Sequence, residues 1–454
     1  MHLTETFGQT VGLNFGFQKC ATAVQKRGKP CKASKIELNH GTIDQLNDKY
    51  KYLGTFQSTE TDMMLTKCCL KEKYYARIKL LCQSFLNSKN LVHALITLAV
   101  PILTYAAIVM EWTQEELCEI DRETRKILVE NGALHKNSCT YRLYAKRSEG
   151  GRGLINIKEI VQKLELNMWR NIAERSKKEP FLALALNLKK GENIMQEKSN
   201  IEVHKNKKLH GQYMSTITNA HNAFLWLKNP NISRKIESLI FAAQEQCIKT
   251  NYYKAKILKQ KVSEMCRLCK CHPETVHHIL CNCPVLAKNQ YIERHNKIGK
   301  QVYHAILKDH KVQLNNSNKE KIPKVFENQD IKLYWDSAVQ TQQAITANKP
   351  DVIYIHKQQN TCIIIDFSLP WDTRIKEKYD EKISKYLPLA NAIKHLWALK
   401  KVTIQPIIIG CTGNFTSKMK KEYQNLRLNV SFEKLQSTTF YESYKIIRQV
   451  PNID

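Results

Sequence analysis

The chain has 454 residues, which is long enough for several domains with apolar cores of their own. Lys and Arg number 71 against 42 Asp and Glu, so the formal net charge is +29. A charge of this size destabilises a compact state by self-repulsion unless a polyanion neutralises it, so it favours nucleic acid as the partner. A Lys-rich coding bias is the alternative source of the charge.

The 15 cysteines do not form the pattern of a disulfide framework. Five of them fall between Cys266 and Cys283, and the others are scattered through apolar stretches. The N-terminal sequence MHLTETFGQTVG lacks the basic stretch followed by an apolar core that marks a signal peptide. We therefore expect a chain that is not secreted, in a reducing compartment where clustered thiols bind metal.

The first 130 residues predict strands and then helices. Residues 1–60 mix short apolar runs with glycines, which is typical of strands and turns. From about residue 62, apolar residues recur three or four positions apart, at Leu70, Tyr74, Ile78, Leu81 and Phe85. Residues 91–110 are apolar enough to resemble a membrane span, but Pro101 interrupts them. We predict two buried helices that meet at Pro101.

Two further helices and two linkers follow. Thr113 and Glu116 have the spacing of a capping box, in which each side chain accepts a hydrogen bond from the other residue's backbone. The apolar face of that helix is predicted to end before Gly132, and another helix to begin near Ile157. The polar stretches 188–209 and 309–325 are predicted as linkers.

The last 130 residues predict an α/β core. Residues 351–356 and 361–367 are β-rich runs separated by a polar KQQN segment, which indicates a hairpin. A helix over about 376–399 is expected to break or kink at Pro388, because proline cannot donate its backbone N–H. The apolar run 402–410 is suited to a buried strand.

The segment CRLCKCHPETVHHILCNC predicts a structural zinc site. Cys266, Cys269, His278 and Cys283 provide three thiolates and one imidazole at short spacing, which can close a tetrahedral shell. Cys271, His277 and Cys281 are alternative ligands, so the sequence leaves open which neighbouring Cys or His, one or two positions away, completes the set of four. Zinc bound in this way stabilises a segment that is too small to have its own core.

Two carboxylates in the predicted hairpin suggest a second metal site. Asp351 opens the first strand, and Asp366 follows three isoleucines at the end of the second. A carboxylate at the end of a buried strand costs free energy unless it is paired or bound to metal. Lys382, Lys385 and Tyr386 are spaced to share one helix face, where a lysine can stabilise the charge that develops on a phosphate. A strand-end Asp that merely caps a turn is the alternative.

Short blocks along most of the chain carry a resemblance to a known family: GLNFGFQKCA (12–21), YKYLGTFQS (50–58), AVPILTYAAIVMEWTQEEL (99–117), DRETRKIL (121–128), RLYAKRSEGGRGLINI (142–157), LHGQY (209–213), AAQEQCIKTNYYKAKI (242–257), HHILCNCPVLA (277–287), WDSAVQTQQAITANKPDVI (335–353), CIIIDFSLPWD (362–372) and EKISKYLPL (381–389). In this order they resemble the polyproteins of non-LTR, LINE-type retrotransposons with a restriction-enzyme-like endonuclease at the C-terminus. The Gly-Gly-Arg-Gly-Leu and Lys-Pro-Asp blocks are the more specific ones.

The resemblance implies a multidomain chain with a mainly α-helical thumb and linker region, a small zinc knuckle, and an α/β nuclease domain of the PD-(D/E)xK type. The implied domains are a remnant of the polymerase palm (1–60), a helical thumb (61–187), a helical linker region (188–259), the zinc knuckle (260–295), a linker (296–325) and the endonuclease (326–454). We expect chelation of zinc to loosen residues 260–295 while the α/β domain stays folded.

The resemblance also implies roles for individual residues. Cys266, Cys269, His278 and Cys283 match the family's Cys-Cys-His-Cys finger, and Asp351 and Asp366 match its magnesium-binding catalytic carboxylates. The usual nuclease core has an acid-x-Lys sequence on the second strand, but this chain has Asp366-Phe367-Ser368. The family's lysine is displaced to the following helix, which implies Lys382, with Lys385 and Tyr386 as neighbours.

The family's polymerase requires a Phe/Tyr-x-Asp-Asp motif, and this sequence contains no Asp-Asp pair. The resemblance therefore implies a truncated polyprotein that does not synthesise DNA by itself and that nicks target DNA with magnesium. It implies a nuclear location, with a cytoplasmic one as the alternative, and target DNA and element RNA as partners. The other functional hypotheses are a catalytically inactive nucleic-acid-binding fragment and a reverse transcriptase.

Overall fold

The computed structural model describes residues 1–14, 16–27, 29–31, 35–46, 49–52, 54–57, 63–182, 184, 207, 209–217, 223–228, 232–312, 322–342 and 344–453. Most of the predicted linkers at 188–209 and 309–325 lie outside these residues. The chain divides into two compact units. Unit 1 comprises Met1–Ser84, Ala94–Ile127 and Ile155–Met195, and unit 2 comprises Phe85–His93, Leu128–Leu154 and Gln196–Asp454. Each helix in the described part of the chain is too short or too polar to cross a membrane.

Unit 1 begins with a helix that the sequence analysis did not predict, followed by the predicted strands. The elements are α1 (His2–Thr10), β1 (Val24–Lys26), β2 (Lys29–Cys31), β3 (Ile36–Leu38), β4 (Gly41–Ile43), β5 (Tyr50–Tyr52) and β6 (Thr55–Gln57). The strands pair as three short antiparallel hairpins. Glu5 of α1 is buried and accepts hydrogen bonds from the backbone N–H groups of Asn39 and His40, which attaches this helix to the β3–β4 turn.

Helices form the rest of unit 1, and a further helix at Ser88–Ala94 belongs to unit 2 except for its last residue. They are α2 (Met63–Gln83), α3 (Ser88–Ala94), a π-helical turn (Leu95–Ala99), α4 (Val100–Thr104), α5 (Gln114–Glu130) and, later in the chain, α7 (Ile157–Arg175). The capping box of α5 is confirmed, because Thr113 N donates to Glu116 Oε2 at 2.9 Å and Glu116 N to Thr113 Oγ1 at 3.2 Å. Gly132 follows the helix with a φ of +66°.

The region around Pro101 differs from the prediction of two buried helices that meet there. Pro101 lies in the first turn of α4, where its missing N–H removes no helical hydrogen bond. The π-helical turn before it joins α3 to α4. Tyr105 and Val109 are 70% and 52% exposed, so this apolar segment is only partly buried.

Unit 2 holds the remaining described elements. They are α6 (Thr140–Tyr144), α8 (Gln212–Ser215), α9 (Arg234–Gln244), α10 (Pro284–Ala287), α11 (Gln290–Asp309), β7 (Val325–Glu327), β8 (Ile331–Trp335), β9 (Val352–His356), β10 (Thr361–Ser368), α12 (Ile375–Leu396), β11 (Lys401–Ile408), α13 (Ser417–Asn425) and α14 (Phe432–Arg448). Short 3-10 or π-helical turns lie at Arg147–Glu149, Leu225–Lys228, Tyr253–Ile257, His278–Asn282 and Asp372–Arg374.

Residues 128–154, which the sequence analysis assigned to the thumb, belong to unit 2. The reason is a set of buried ion pairs that joins this segment to α9. Arg147 Nη2 lies 2.6 Å from Glu237 Oε2, and Arg142 Nε lies 3.8 Å from Glu245 Oε1. A buried charge without its partner would lower the stability of the fold. The two arginines therefore fix this segment against Glu237 of α9 and against Glu245, the residue after α9.

The sheet of unit 2 is mixed and five-stranded, with the order β11-β10-β9-β8-β7. β10 and β11 are parallel, and the other pairs are antiparallel. The predicted hairpin is confirmed as β9 and β10, with Thr361 opposite His356 and Ile365 opposite Val352. The predicted strand after it is also confirmed as β11. Helix α12 connects the two parallel strands and packs on both of them.

Helix α12 continues through Pro388, so the predicted break does not occur. Proline leaves the carbonyl of Ser384, four residues earlier, without its helical donor. Ser384 and Pro388 are both exposed, so solvent can take the place of that donor. The cost is therefore small enough for the buried residues on the opposite face, such as Tyr386 and Leu389, to keep the helix intact.

The predicted linker 296–325 contains most of α11, a helix that the sequence analysis did not predict. Ile298, Val302 and Ile306 lie four residues apart and are at most 1% exposed. They belong to the apolar core that includes Leu333 and Ile365 of the sheet. A helix with such a face covers a sheet and is not a connector.

A buried aspartate joins the start of α12 to the loop after β11. Asp372 Oδ2 accepts hydrogen bonds from Thr412 N at 3.0 Å and Thr412 Oγ1 at 2.8 Å, and Oδ1 accepts one from Asn414 N at 2.9 Å. Gly410 is required beside it, because a Cβ there would overlap the Asp372 carboxyl group. Cys411 in this loop belongs to the same buried apolar cluster as Cys266 and Cys283 of the predicted zinc knuckle.

We expect Asp372→Ala to lower the free energy of unfolding by about 3 kcal/mol or more, because it leaves several buried donors without an acceptor. Equilibrium denaturation measures the change. The matched control is Asp380→Ala on the exposed face of α12, which should change stability by no more than about 0.5 kcal/mol. Equal midpoints for the two variants would show that this buried hydrogen-bond set contributes nothing.

Candidate metal centre and carboxylate site

The ligand atoms of Cys266, Cys269, His278 and Cys283 all lie within 4.8 Å of one another. Cys269 Sγ and His278 Nε2 are 3.4 Å apart, and Cys266 and Cys283 are completely buried. These four residues are the set predicted from spacing, and the prediction that they form a group able to hold a metal ion is confirmed. Three thiolates and one imidazole in a closed shell fit a structural zinc ion.

The alternative ligands are turned to other contacts. Cys271 Sγ lies 2.9 Å from the carbonyl oxygen of Cys269. The ring of His277 packs against Trp371 at a tilt of 35° with centroids 5.2 Å apart, and His277 Nε2 lies 3.2 Å from Asn282 Nδ2. Cys281 lies outside the four-residue group as well. Because His277 and His278 are adjacent on a π-helical turn, only one of them points toward the thiols.

Local hydrogen bonds shape the loop that carries the first two cysteines. Cys266 N donates to His272 O at 2.8 Å, and Lys270 N donates to Cys266 O at 2.8 Å. Lys270 adopts a φ of +58°, which turns the chain back sharply. Arg267 Nη2 lies 2.6 Å from Glu274 Oε1, and this carboxylate is fully buried. The ion pair therefore fixes the loop without using any of the four ligand side chains.

Burial and hydrogen bonds shift the pKa values of the cluster residues in different directions. Burial raises the pKa of the Cys266 thiol to about 11. Burial also opposes ionisation of Cys269, but hydrogen bonds from the backbone of Cys271 and His272 outweigh it and lower the pKa of that thiol. Burial lowers the pKa of His278, so its imidazole is neutral at pH 7 and can act as a ligand. A cation that offsets the buried thiolates would complete the site.

The knuckle shares an apolar core with distant parts of unit 2. Cys266, Cys283 and Leu280 belong to one buried cluster with residues of α9 and α14, among them Leu239 and Ile446. Arg267 Nη1 also donates a hydrogen bond to the carbonyl of Pro451, 184 positions along the chain. The sequence analysis treated residues 260–295 as a separate domain, but Gln196–Asp454 form part of one compact unit.

The two predicted carboxylates lie side by side at one edge of the sheet. Asp366 is in β10, and Asp351 immediately precedes β9. Since Ile365 pairs with Val352, the next position of the ladder places Asp351 opposite Asp366. Phe367 N donates a hydrogen bond to Asp351 Oδ2 at 2.7 Å. Asp366 is 2% exposed, whereas the Asp351 side chain is 21% exposed.

Helix α12 brings two of its three predicted residues to Asp366. Lys382 Nζ lies 2.6 Å from Asp366 Oδ2, and the Tyr386 hydroxyl donates to Asp366 Oδ1 at 2.7 Å. Lys382 and Tyr386 are one helical turn apart, so both face the sheet. Lys385 is exposed, and its Nζ lies 4.7 Å from the centre of the Tyr386 ring. It thus sits beside the cluster without contacting either carboxylate.

The sequence analysis missed His295. Its Nε2 lies 3.0 Å from Asp351 Oδ2, and its ring meets the edge of Phe367 at a centroid distance of 6.0 Å. His295 is in α11, which was taken for the end of the knuckle and a linker. The signal that could have found it is its position three residues before Ile298, on the buried face of an amphipathic helix.

The charges of this site depend on one another. Burial raises the pKa of Asp366, and the neighbouring charge of Asp351 raises it further, although Lys382 and Tyr386 act in the opposite direction. Burial alone would lower the pKa of His295, but its hydrogen bond to Asp351 and the charge of that residue outweigh burial and raise it. Two carboxylates that repel each other in a half-buried site favour a cation between them.

Comparison with models of protein families found no match to this chain, and comparison with curated proteins found none either. The resemblance to retrotransposon polyproteins therefore rests on the sequence blocks alone.

Proposed function

We propose that the chain is the C-terminal part of a non-LTR retrotransposon polyprotein and that its α/β region is a magnesium-dependent DNA endonuclease of the PD-(D/E)xK type. The observation that carries the proposal is the pairing of Lys382 with Asp366 at 2.6 Å. Ser368 occupies the strand position where such nucleases have a lysine. A lysine on the following helix, with its ammonium group beside the strand carboxylate, compensates for that substitution.

Asp351 and Asp366 would hold the magnesium ion in this proposal. Magnesium is commonly bound by one or two carboxylates and keeps water as its other ligands, which matches a pair of this kind. A bound magnesium ion polarises the phosphate and lowers the pKa of a water ligand. The raised pKa of Asp366 supports the fit, because a divalent cation would offset both burial and the charge of Asp351.

The neighbouring side chains have separate tasks. Lys382 can stabilise the negative charge that develops on the phosphate oxygens. The Tyr386 hydroxyl fixes the orientation of the Asp366 carboxylate through its hydrogen bond to Oδ1. His295 does the same for Asp351 from α11. Each ligand carboxylate is thus oriented by a side chain from a helix that packs on the sheet.

Nucleic acid is the proposed partner, as target DNA and as element RNA, and the nucleus is the proposed location. The support is the net charge of +29, which binds phosphate without specifying sequence. In this proposal the knuckle binds one zinc ion through Cys266, Cys269, His278 and Cys283. DNA synthesis is not proposed, because the sequence has no Asp-Asp pair.

The second candidate function is a nucleic-acid-binding fragment without catalysis. The observation in its favour is that both oxygens of Asp366 are engaged by Lys382 and Tyr386. A carboxylate that kept these contacts permanently would not bind magnesium. The two functions differ in an assay of supercoiled plasmid DNA, since only the endonuclease nicks it when magnesium is present.

Lys382→Met is expected to lower the rate of nicking by about 10²-fold, the scale of losing one electrostatic catalytic group. Methionine keeps the apolar stem, so the helix should still pack on the sheet. Lys385→Met is the matched control, because Lys385 touches neither carboxylate, and its rate should stay within about twofold of wild type. Gel quantification of open-circular DNA measures both. An equal loss of nicking rate in the two variants would show that Lys382 has no specific role in catalysis.

A further inference from the structure

A second group of potential metal ligands lies in unit 2, apart from the knuckle in sequence. Within the described residues, His210, Glu245 and Cys247 each offer a ligand atom within 4.8 Å of the other two. Glu245 and Cys247 follow α9 directly, and His210 precedes α8. The proposed nuclease chemistry uses none of these three residues.

The three ligand atoms converge on one buried point. His210 Nδ1 lies 4.0 Å from Glu245 Oε2, and Cys247 Sγ lies 3.9 Å from the same oxygen. Glu245 and Cys247 have no exposed surface. His210 Nδ1 is buried and makes no hydrogen bond, although its side chain is 27% exposed overall. An imidazole nitrogen aimed at a carboxylate and a thiol, without a hydrogen bond of its own, indicates a missing bonding partner.

The surroundings orient Glu245 as a ligand. Cys139 N donates a hydrogen bond to Glu245 Oε2 at 2.8 Å, and Arg142 Nε lies 3.8 Å from Oε1. Metal-binding carboxylates are usually held by such outer contacts. His135 Nδ1 lies 3.8 Å from Cys247 Sγ and borders the group. A divalent ion would offset the charges of the Cys247 thiolate and the Glu245 carboxylate, and Arg142 adds one positive charge beside them.

We propose that His210, Glu245 and Cys247 bind a second divalent, thiol-seeking metal ion such as zinc. Bonds of about 2.0 to 2.3 Å to nitrogen, oxygen and sulfur place tetrahedral ligands about 3.4 to 3.8 Å apart. The observed separations of 4.0 and 3.9 Å to Glu245 Oε2 need only a small contraction. Three protein ligands leave a fourth position for water. The metal ion would link His210, which precedes α8, to the residues that follow α9. This proposal does not depend on endonuclease activity.

Zinc content of the purified full-length chain tests the proposal. The chain is equilibrated with zinc, passed over a desalting column and measured by elemental mass spectrometry together with protein concentration. Wild type should hold two zinc ions per chain. Cys247→Ala and Cys283→Ala should each hold one fewer than wild type. Cys362→Ala, a fully buried cysteine in β10 outside both groups, is the matched control and should keep two.

Cobalt substitution gives a second readout. The knuckle contributes three thiolates and the new site one, so Cys247→Ala should remove about a quarter of the thiolate-to-cobalt absorption. One zinc ion in wild type, or two in Cys247→Ala, overturns the proposal. If circular dichroism shows that Cys247→Ala does not fold, the zinc content of His210→Gln, a change at a partly exposed position, tests the site instead. One zinc ion in that variant supports the site, and two exclude it.

Discussion

Asp366→Asn is expected to reduce magnesium-dependent nicking of supercoiled plasmid by at least about 10²-fold, since it removes a charged ligand from the proposed metal site. The fold should survive, because Asn keeps an acceptor for the Tyr386 hydroxyl and removes a charge whose burial is unfavourable. Initial rates of conversion to open-circular DNA, measured over a range of magnesium concentrations, give the effect.

Asp380→Asn is the control for this change, since Asp380 lies on the exposed face of α12. It should nick at the wild-type rate. DNA binding, measured by fluorescence anisotropy, should be equal in wild type and Asp366→Asn. Nicking that persists at the wild-type level in Asp366→Asn would refute the proposed active site. Wild-type protein that binds DNA without nicking it would favour the non-catalytic alternative.

Removal of zinc from the knuckle is expected to destabilise the whole of unit 2, including the sheet. Cys266 and Cys283 lie in the apolar cluster that α9 and α14 complete, and α14 also contributes Phe432 and Leu435 to the core over the sheet. A structural zinc ion contributes on the order of 10 kcal/mol to the folding of small zinc fingers, so the loss here should be several kcal/mol. Thermal unfolding of Cys283→Ser, followed by circular dichroism, measures it.

This expectation replaces the prediction made from sequence, in which chelation loosens residues 260–295 alone. Limited proteolysis with and without chelator separates the two. Cleavage within both the knuckle and the sheet after chelation agrees with the shared core. An intact protease-resistant fragment from about residue 326 would instead support independent domains. Cys271→Ser should behave as wild type, because Cys271 lies outside the ligand group.

The parts of the site that sequence could predict are those specified by local spacing. The zinc ligands lie within 18 positions, and an i to i+4 interval on a helix places Lys382 and Tyr386 on one face. The hairpin of Asp351 and Asp366 follows from two β-rich runs and a short polar turn. In each case the chain itself brings the residues together over a short distance.

The parts that sequence missed depend on contacts between distant segments. His295 meets Asp351 only because α11 packs over the sheet, whereas the sequence analysis divided the residues of α11 between the knuckle and a linker. The compact unit in which residues 128–154 lie depends on long-range contacts of the same kind. The buried partners of Arg142 and Arg147 lie about a hundred positions away, at Glu245 and Glu237. Periodicity identifies a buried face but not the element that covers it.

The contact between Arg267 and Pro451 has a consequence for biosynthesis. A ribosome adds about 5 to 20 residues per second, so the 184 positions between these residues take on the order of ten to forty seconds. For most of that interval the knuckle thiols lack the α14 side chains that bury them in the finished protein. Exposed thiolates are prone to oxidation. The yield of correctly folded chain should therefore depend on how reducing and how zinc-rich the compartment of translation is.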